Sequence, residues 1–164
     1  YQTLTNLDVP LFVHASSTDG AGGLKDDRLS LHNLSLSLGY AQEETLAVAQ
    51  LLLGGVLDRH RTLDICVSHG GGTAAFLAEK IDQLAQIDPA ASEGVKQNGF
   101  GHELQKLWFD NHVKGEVAAA ALRHYAHEDK LVMGTNLGGF DTPEALIADA
   151  VRLSQNARRL LRLP

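Results

Sequence analysis

The sequence lacks the features of a disulfide scaffold, a membrane span or a nucleic-acid binder. It holds a single cysteine, Cys66, which excludes an internal disulfide and leads us to expect a reducing, cytoplasmic compartment. No apolar run approaches the roughly 20 residues that span a bilayer. Basic residues are outnumbered, 14 Lys and Arg against 20 Asp and Glu, and the net charge of −6 steers neither nucleic acid nor an anionic membrane toward the chain. Aromatic residues make up 5%, and the adjacent pair Trp108 and Phe109 reads as core or pocket wall rather than a stacking platform. There is no G-x-S-x-G elbow, no G-x-G-x-x-G and no G-x-x-x-x-G-K-[ST], so nucleophile-elbow, dinucleotide and P-loop readings have no support. The chain opens on "YQTLTNLDVP", without a methionine, a basic n-region or a signal h-region, and is expected to be processed, trimmed or only partly represented.

What is present is an alternation. The 164 residues, 44% of them hydrophobic, are enough for one domain, residues 1–164, with a real core. "VPLFVH" (residues 9–14) is short, β-branched and aromatic and reads as a buried strand. A long Gly-, Ser- and Asp-rich loop follows, of the kind that forms lids or binding segments. "EETLAVAQLLLGGVLDRH" reads as a largely buried helix with acids in its first turn. "LDICVS" is a second strand and "TAAFLAEKIDQLAQI" a second helix, and a polar connection over residues 88–101 leads to a strand around "KLWFD". The alanine-rich helix "GEVAAAALRHYAH", the strand "KLVMGT", a helix opening at "DTPEALIADAVRL" and a basic amphipathic helix "SQNARRLLRL" complete the chain. Four β-then-α units imply parallel strands with helical crossovers. An open doubly wound sheet fits, and so does half of a (β/α)8 barrel, whose full form takes about 250 residues.

In such folds chemistry sits beyond the carboxyl ends of the strands. The four predicted strands end in His14, in His69, in Asp110 with His112 beyond, and in Gly134-Thr135-Asn136. A strand-end histidine can simply hydrogen-bond a loop carbonyl. Two at equivalent positions suit metal ligation or proton transfer instead. The stretch "HGGGT" after the second strand adds glycines that would leave the imidazole face open and neighbouring N–H groups available. Cys66, an odd number of residues from His69, is expected to face the helices as core. His32, His60, His102, His124 and His127 read as solvated surface, and Arg158, Arg159 and Arg162 as a favourable helix C-terminus.

The segments "LFVHASS", "GGVLDRHRTLDICVSHGGGTAAFLAEKI", "LWFDNHV" and "DKLVMGTNLGGFD", in that order, resemble the amidohydrolase-related decarboxylase family, of the aminocarboxymuconate semialdehyde decarboxylase type. Its members are (β/α)8 TIM barrels about twice this length. The resemblance therefore implies an α/β chain that supplies strands five through eight, the C-terminal half. By the same resemblance His14 matches a metal-ligand histidine after the fifth strand. His69 matches the histidine after the sixth, which orients or deprotonates metal-bound water and contacts substrate. Asn136 stands where the family has an aspartate that reaches the metal and transfers protons, and its amide brings neither charge nor base. Asp141 follows at a spacing unsuited to a simple swap. The family's H-x-H pair has no counterpart in this chain. Lys80 falls near the place of a substrate-binding arginine and keeps the charge without the bidentate fork. The resemblance thus implies catalytic roles for His69 and Asn136, metal ligation by His14 and Asn136, and substrate contacts from Gly70, Gly71 and Lys80. The cofactor implied is a divalent metal, zinc by expectation, and the substrate a small-molecule carboxylate, either an aromatic or a ring-cleavage acid. Partners implied are the remaining half of the barrel, in the same chain or another subunit, and a homodimer or higher assembly. Two functions stay open: a metal-dependent decarboxylase or C–C hydrolase, and a non-catalytic barrel half that has lost its acid at Asn136.

Overall fold

The computed structural model describes residues 1–16, 26–136 and 149–164. A short helix α1 (Gln2–Leu7) precedes strand β1 (Leu11–Val13), which starts directly behind Pro10. After the first long connection come α2 (Tyr40–Leu53) and α3 (Val56–Arg59), then β2 (Ile65–Val67) and α4 (Ala74–Ala85). Two short helices, α5 (Glu93–Asn98) and α6 (Phe100–Leu104), lead to β3 (Trp108–Asp110). Helix α7 (Glu116–Tyr125), strand β4 (Leu131–Val132) and α8 (Ala150–Leu160) finish the chain. The strands form one sheet in the order β1-β2-β3-β4, all parallel, with Val13 opposite Val67, Val67 opposite Phe109 and Phe109 opposite Leu131. The predicted alternation is therefore present as a parallel sheet with helical crossovers. No helix among the described residues is long and apolar enough to cross a membrane.

The sheet is two-faced because successive side chains point to opposite sides. Ile65, Val67, Phe109 and Leu131 pack into the main core with Val48 and Leu52 of α2, Ala78 of α4, Phe100 of α6 and Leu122 of α7. The other face carries Phe12, Cys66 and Trp108 in register. There Cys66, Trp108 and Val132 gather under Leu160 and Ala157 of α8, while Phe12 is left 56% exposed. Cys66 is thus core, as expected, but on the face away from the main helical layer. Strand alternation ends at Val67 and the chain turns at Ser68, so counting by twos from Cys66 to His69 misassigns the side.

Several predicted boundaries move. The helix expected over residues 43–60 starts earlier, at Tyr40, and breaks at Gly54–Gly55, where Gly55 takes φ 65°. Its open end is closed by Arg59, whose guanidinium donates to the Gly54 carbonyl at 2.8 Å. The connection over residues 88–101 is mostly helical. Ser92 caps α5 by accepting the Val95 N–H, Asp82 accepts the Phe100 N–H at 2.9 Å, and fully buried Val95 and Phe100 anchor the segment. Its polar composition concealed those two anchors. Near the C-terminus one continuous helix, α8, crosses the border between the two predicted helices, and the expected cap and first-turn proline lie outside the described residues.

Candidate active site

The parallel sheet brings three imidazoles into a row at the carboxyl ends of neighbouring strands. The rings of His14 and His69 lie 5.2 Å apart, edge to face, and those of His69 and His112 lie 5.5 Å apart. Tyr40, at the start of α2, closes over the first two at 6.0 and 6.3 Å. His14 is exposed, and its Nδ1–H donates to the Ala15 carbonyl at 2.7 Å, because a carbonyl can only accept. That bond leaves Nε2 carrying the lone pair.

His69 opens a run of four left-handed residues: φ is 48° there and 62°, 75° and 66° at Gly70, Gly71 and Gly72. The glycines are required by both conformation and space. A Cβ on Gly71 would sit 2.7 Å from the Phe109 ring, and one on Gly72 would sit 2.2 Å from the Ala41 carbonyl oxygen. Their N–H groups are used inside the protein. Gly70 donates to Asp110 Oδ1 at 3.3 Å, Gly71 to the Ser68 carbonyl at 2.9 Å and Gly72 to the His69 carbonyl at 3.2 Å. The available donors read from "HGGG" are therefore engaged in the turn itself.

Two carboxylates support this corner. Asp110 Oδ1 also accepts the His112 N–H at 3.1 Å. Burial pushes its carboxyl above the ordinary carboxylate value, opposed by the backbone bonds from His112, His69 and Gly70 and by the charge of His69. Glu44, one helical turn after Tyr40, is fully buried, and its Oε1 lies 2.6 Å from both Ser68 Oγ and His69 Nδ1. By sequence Glu44 belongs to the acids of a helix's first turn, where it would serve the dipole. Because α2 begins at Tyr40, it sits deeper, facing the strand end. The available signal was its spacing: Glu44 stands four residues before Val48 and so shares the apolar face of the helix.

The other predicted residues fall differently. Asn136 follows β4, is exposed, and has φ 46°, a conformation that side-chain amides tolerate. Gly134 before it permits close approach, since a Cβ there would meet His112 and Asp110 at 2.7 and 2.9 Å, and its N–H reaches Asn111 Oδ1 at 3.0 Å. Lys80 is exposed on α4, roughly 9 Å along the helix from its first residue, so the described structure does not gather it with the histidines. Asp141 lies outside the described residues. Burial and the neighbouring Asp110 push the Cys66 thiol up to about 12, which makes it inert at neutral pH. His32, His102, His124 and His127 are exposed, as expected, and His60 is half-buried against Tyr1.

No group of three or more His, Cys, Asp and Glu side chains arranged to hold a metal occurs among the described residues. The Nε2 of His14 and the amide oxygen of Asn136 are donor types that a divalent ion accepts. A cavity of about 900 Å³ lies at the opposite end of the sheet beside Asp58, Asp64, Lys106 and Lys130. In barrels of this kind that end serves stability rather than chemistry.

Comparison with known proteins agrees with the fold and gives it a family. The family model described as Amidohydrolase matches residues 1–163. The chain is 26% identical over 136 residues to 2-amino-3-carboxymuconate-6-semialdehyde decarboxylase of Dictyostelium discoideum, covering 83% of this chain and 36% of that protein. Among solved structures, the IDCase of Metarhizium anisopliae in apo form superposes with a TM-score of 0.64 at 25% identity, over 98% of this chain and 45% of the other. A 5-carboxyvanillate decarboxylase from Novosphingobium aromaticivorans, complexed with manganese and a nitrobenzoic acid, superposes with a TM-score of 0.71 at 19% identity, over 99% of this chain and 50% of the other. The metal there is manganese rather than the zinc expected from the sequence. This chain spans about half the length of these solved structures and about a third of the curated relative. Four parallel strands, histidines at their carboxyl ends and a family match along nearly the whole length agree: the chain belongs to the amidohydrolase family and makes up about half of its TIM barrel.

Proposed function

We propose that this chain is the C-terminal half of a metal-dependent decarboxylase or C–C hydrolase that acts on a carboxylated aromatic or ring-cleavage acid. The observation that carries the reading is the convergence of His14 and His69, 5.2 Å apart, at the ends of adjacent parallel strands. Its relatives' names, decarboxylases of such acids, support the reaction class.

In this reading His14 Nε2 and the Asn136 amide oxygen hold one side of a divalent ion, and the remaining ligands come from the other half of the barrel. Such an ion, when bound, polarises a substrate oxygen or lowers the pKa of water. His69 handles the proton. Decarboxylation breaks the bond from carbon to carboxylate, releases CO2 and leaves an electron pair on carbon, which takes up a proton. His69 Nε2 gives that proton, or in hydrolysis removes one from water. Asp110, whose carboxyl burial pushes above its ordinary value, accepts the Gly70 N–H in the turn that carries His69. Gly70 and Gly71 act through the tight turn they allow against Leu122 and Phe109, which sets where His69 stands for the substrate. Lys80 contributes at most a favourable charge at a distance. The rest of the barrel covers Phe12 and pairs the outer edges of β1 and β4.

A second reading, a non-catalytic barrel half, is favoured by one observation: Asn136 offers a metal neither charge nor base. Metal analysis of the complete protein and its Asn136→Asp variant, with CO2 release from hydroxylated benzoates and muconate semialdehydes, separates the two. The enzyme reading expects about one equivalent of metal and turnover in the parent, and the analysis itself tells manganese from zinc. Metal and turnover confined to Asn136→Asp would overturn it in favour of the second.

A further inference from the structure

Glu44 costs the fold more than its packing explains. It is fully buried, and its neighbours along the inward side of α2, Val48, Leu51 and Leu52, are all apolar. Burying a carboxylate costs several kcal/mol unless partners compensate, and an apolar side chain of similar volume is often neutral or better. Yet among the described residues Oε2 has no hydrogen-bond partner. Every contact is concentrated on Oε1, which lies 2.6 Å from Ser68 Oγ and 2.6 Å from His69 Nδ1. Both groups belong to the turn that carries the strand-end imidazole, and both can donate. Ser68 could turn its hydroxyl to the Val13 carbonyl at 3.1 Å instead, so it does not need Glu44. His69 itself is held in a left-handed conformation, φ 48°, which is uncommon outside glycine.

We propose that Glu44 is the positioning residue of His69. Its carboxylate fixes the proton on Nδ1, locks the ring against the end of β2 and makes Nε2 the nitrogen that exchanges protons with substrate. This rests on the reading of His69 as acid/base, but the geometry makes a separate claim about the ring itself. A carboxylate bonded to the far nitrogen of an imidazole fixes its tautomer and raises its basicity, and losing such a partner typically costs about 10- to 100-fold in activity.

The test uses the complete protein with histidine-selective nitrogen labelling and a His69→Gln variant to assign the signals. In the parent, the neutral His69 ring carries its proton on Nδ1. In Glu44→Met, which keeps the volume and removes the acceptor, the ring moves toward the Nε2–H form, and kcat falls about 10- to 100-fold with KM little changed. Thermal stability holds or rises, whereas a purely structural role would lower it. Glu44→Gln, whose amide oxygen still accepts, retains the Nδ1–H form and more of the activity than Glu44→Met. A parent ring protonated on Nε2, or a Glu44→Met protein with unchanged ring signals, overturns the proposal. If no carboxylate is turned over, the functional reading fails, and the ring signals still decide the role of Glu44.

Discussion

The two ends of the sheet treat charge in opposite ways. At the amino end, ahead of the strands, charges are paired with charges: Arg162 reaches Asp8 at 2.9 Å and Asp64 at 3.0 Å. Trp108 donates its indole N–H to Asp64 at 2.7 Å, and Lys130 and Arg159 lie over its ring at 5.6 and 5.5 Å. At the carboxyl end, the polar groups serve the backbone and one another: Glu44 bonds His69, Asp110 bonds Gly70 and His112, and the imidazoles line up in a row. A mutually neutralised cluster closes the bottom of the sheet.

Three substitutions probe that contrast. The largest effect is expected from Gly72→Ala at the carboxyl end, where a methyl would sit 2.2 Å from the Ala41 carbonyl oxygen at a φ of 66°. Backbone strain and overlap together should cost about 3 kcal/mol or more, read as a large fall in the unfolding midpoint. Retention of parental stability would mean that the turn is looser than the structure indicates.

Asp110→Asn tests the same end through pH. The folded-state pKa of Asp110 is raised by burial, so between its unfolded and folded values the native state binds more protons than the unfolded state. Its contribution to stability is therefore fully present below about pH 4, the unfolded carboxyl value. It is lost as pH rises through the higher folded value. The amide does not ionise but can still accept the Gly70 and His112 N–H groups. Denaturant unfolding of parent and variant should show the variant gaining relative stability as pH rises from 4 to 7, and a constant difference would contradict the buried carboxyl. The smallest effect belongs to Arg162→Ala at the amino end. Its pairs with Asp8 and Asp64 are partly solvated, so the loss should be slight and should shrink further in high salt. A salt-independent loss would make that cluster more than a surface network.

Much of this was legible residue by residue. The apolar runs before His14, His69, Asp110 and Asn136 are local, and so is the helical periodicity between them, so the parallel sheet and the strand-end histidines could be read directly. The short helices α5 and α6 could not, because their polar stretch is helical only where Val95 and Phe100 find the core. Helix α1 was equally hidden; it ends at Asp8, which is tied to Arg162 from the far end of the chain.

The sequence by itself determined the alternation of strand and helix and the kinds of residue at each strand end, because both depend on spacing along the chain. Tertiary structure alone decided which of those residues meet. It brought three imidazoles from three strands into a row and left Lys80 out of it. It also turned Glu44 from a dipole partner into the acceptor behind His69, because the helix starts three residues earlier than its acids suggest and 25 residues of chain return the imidazole to it.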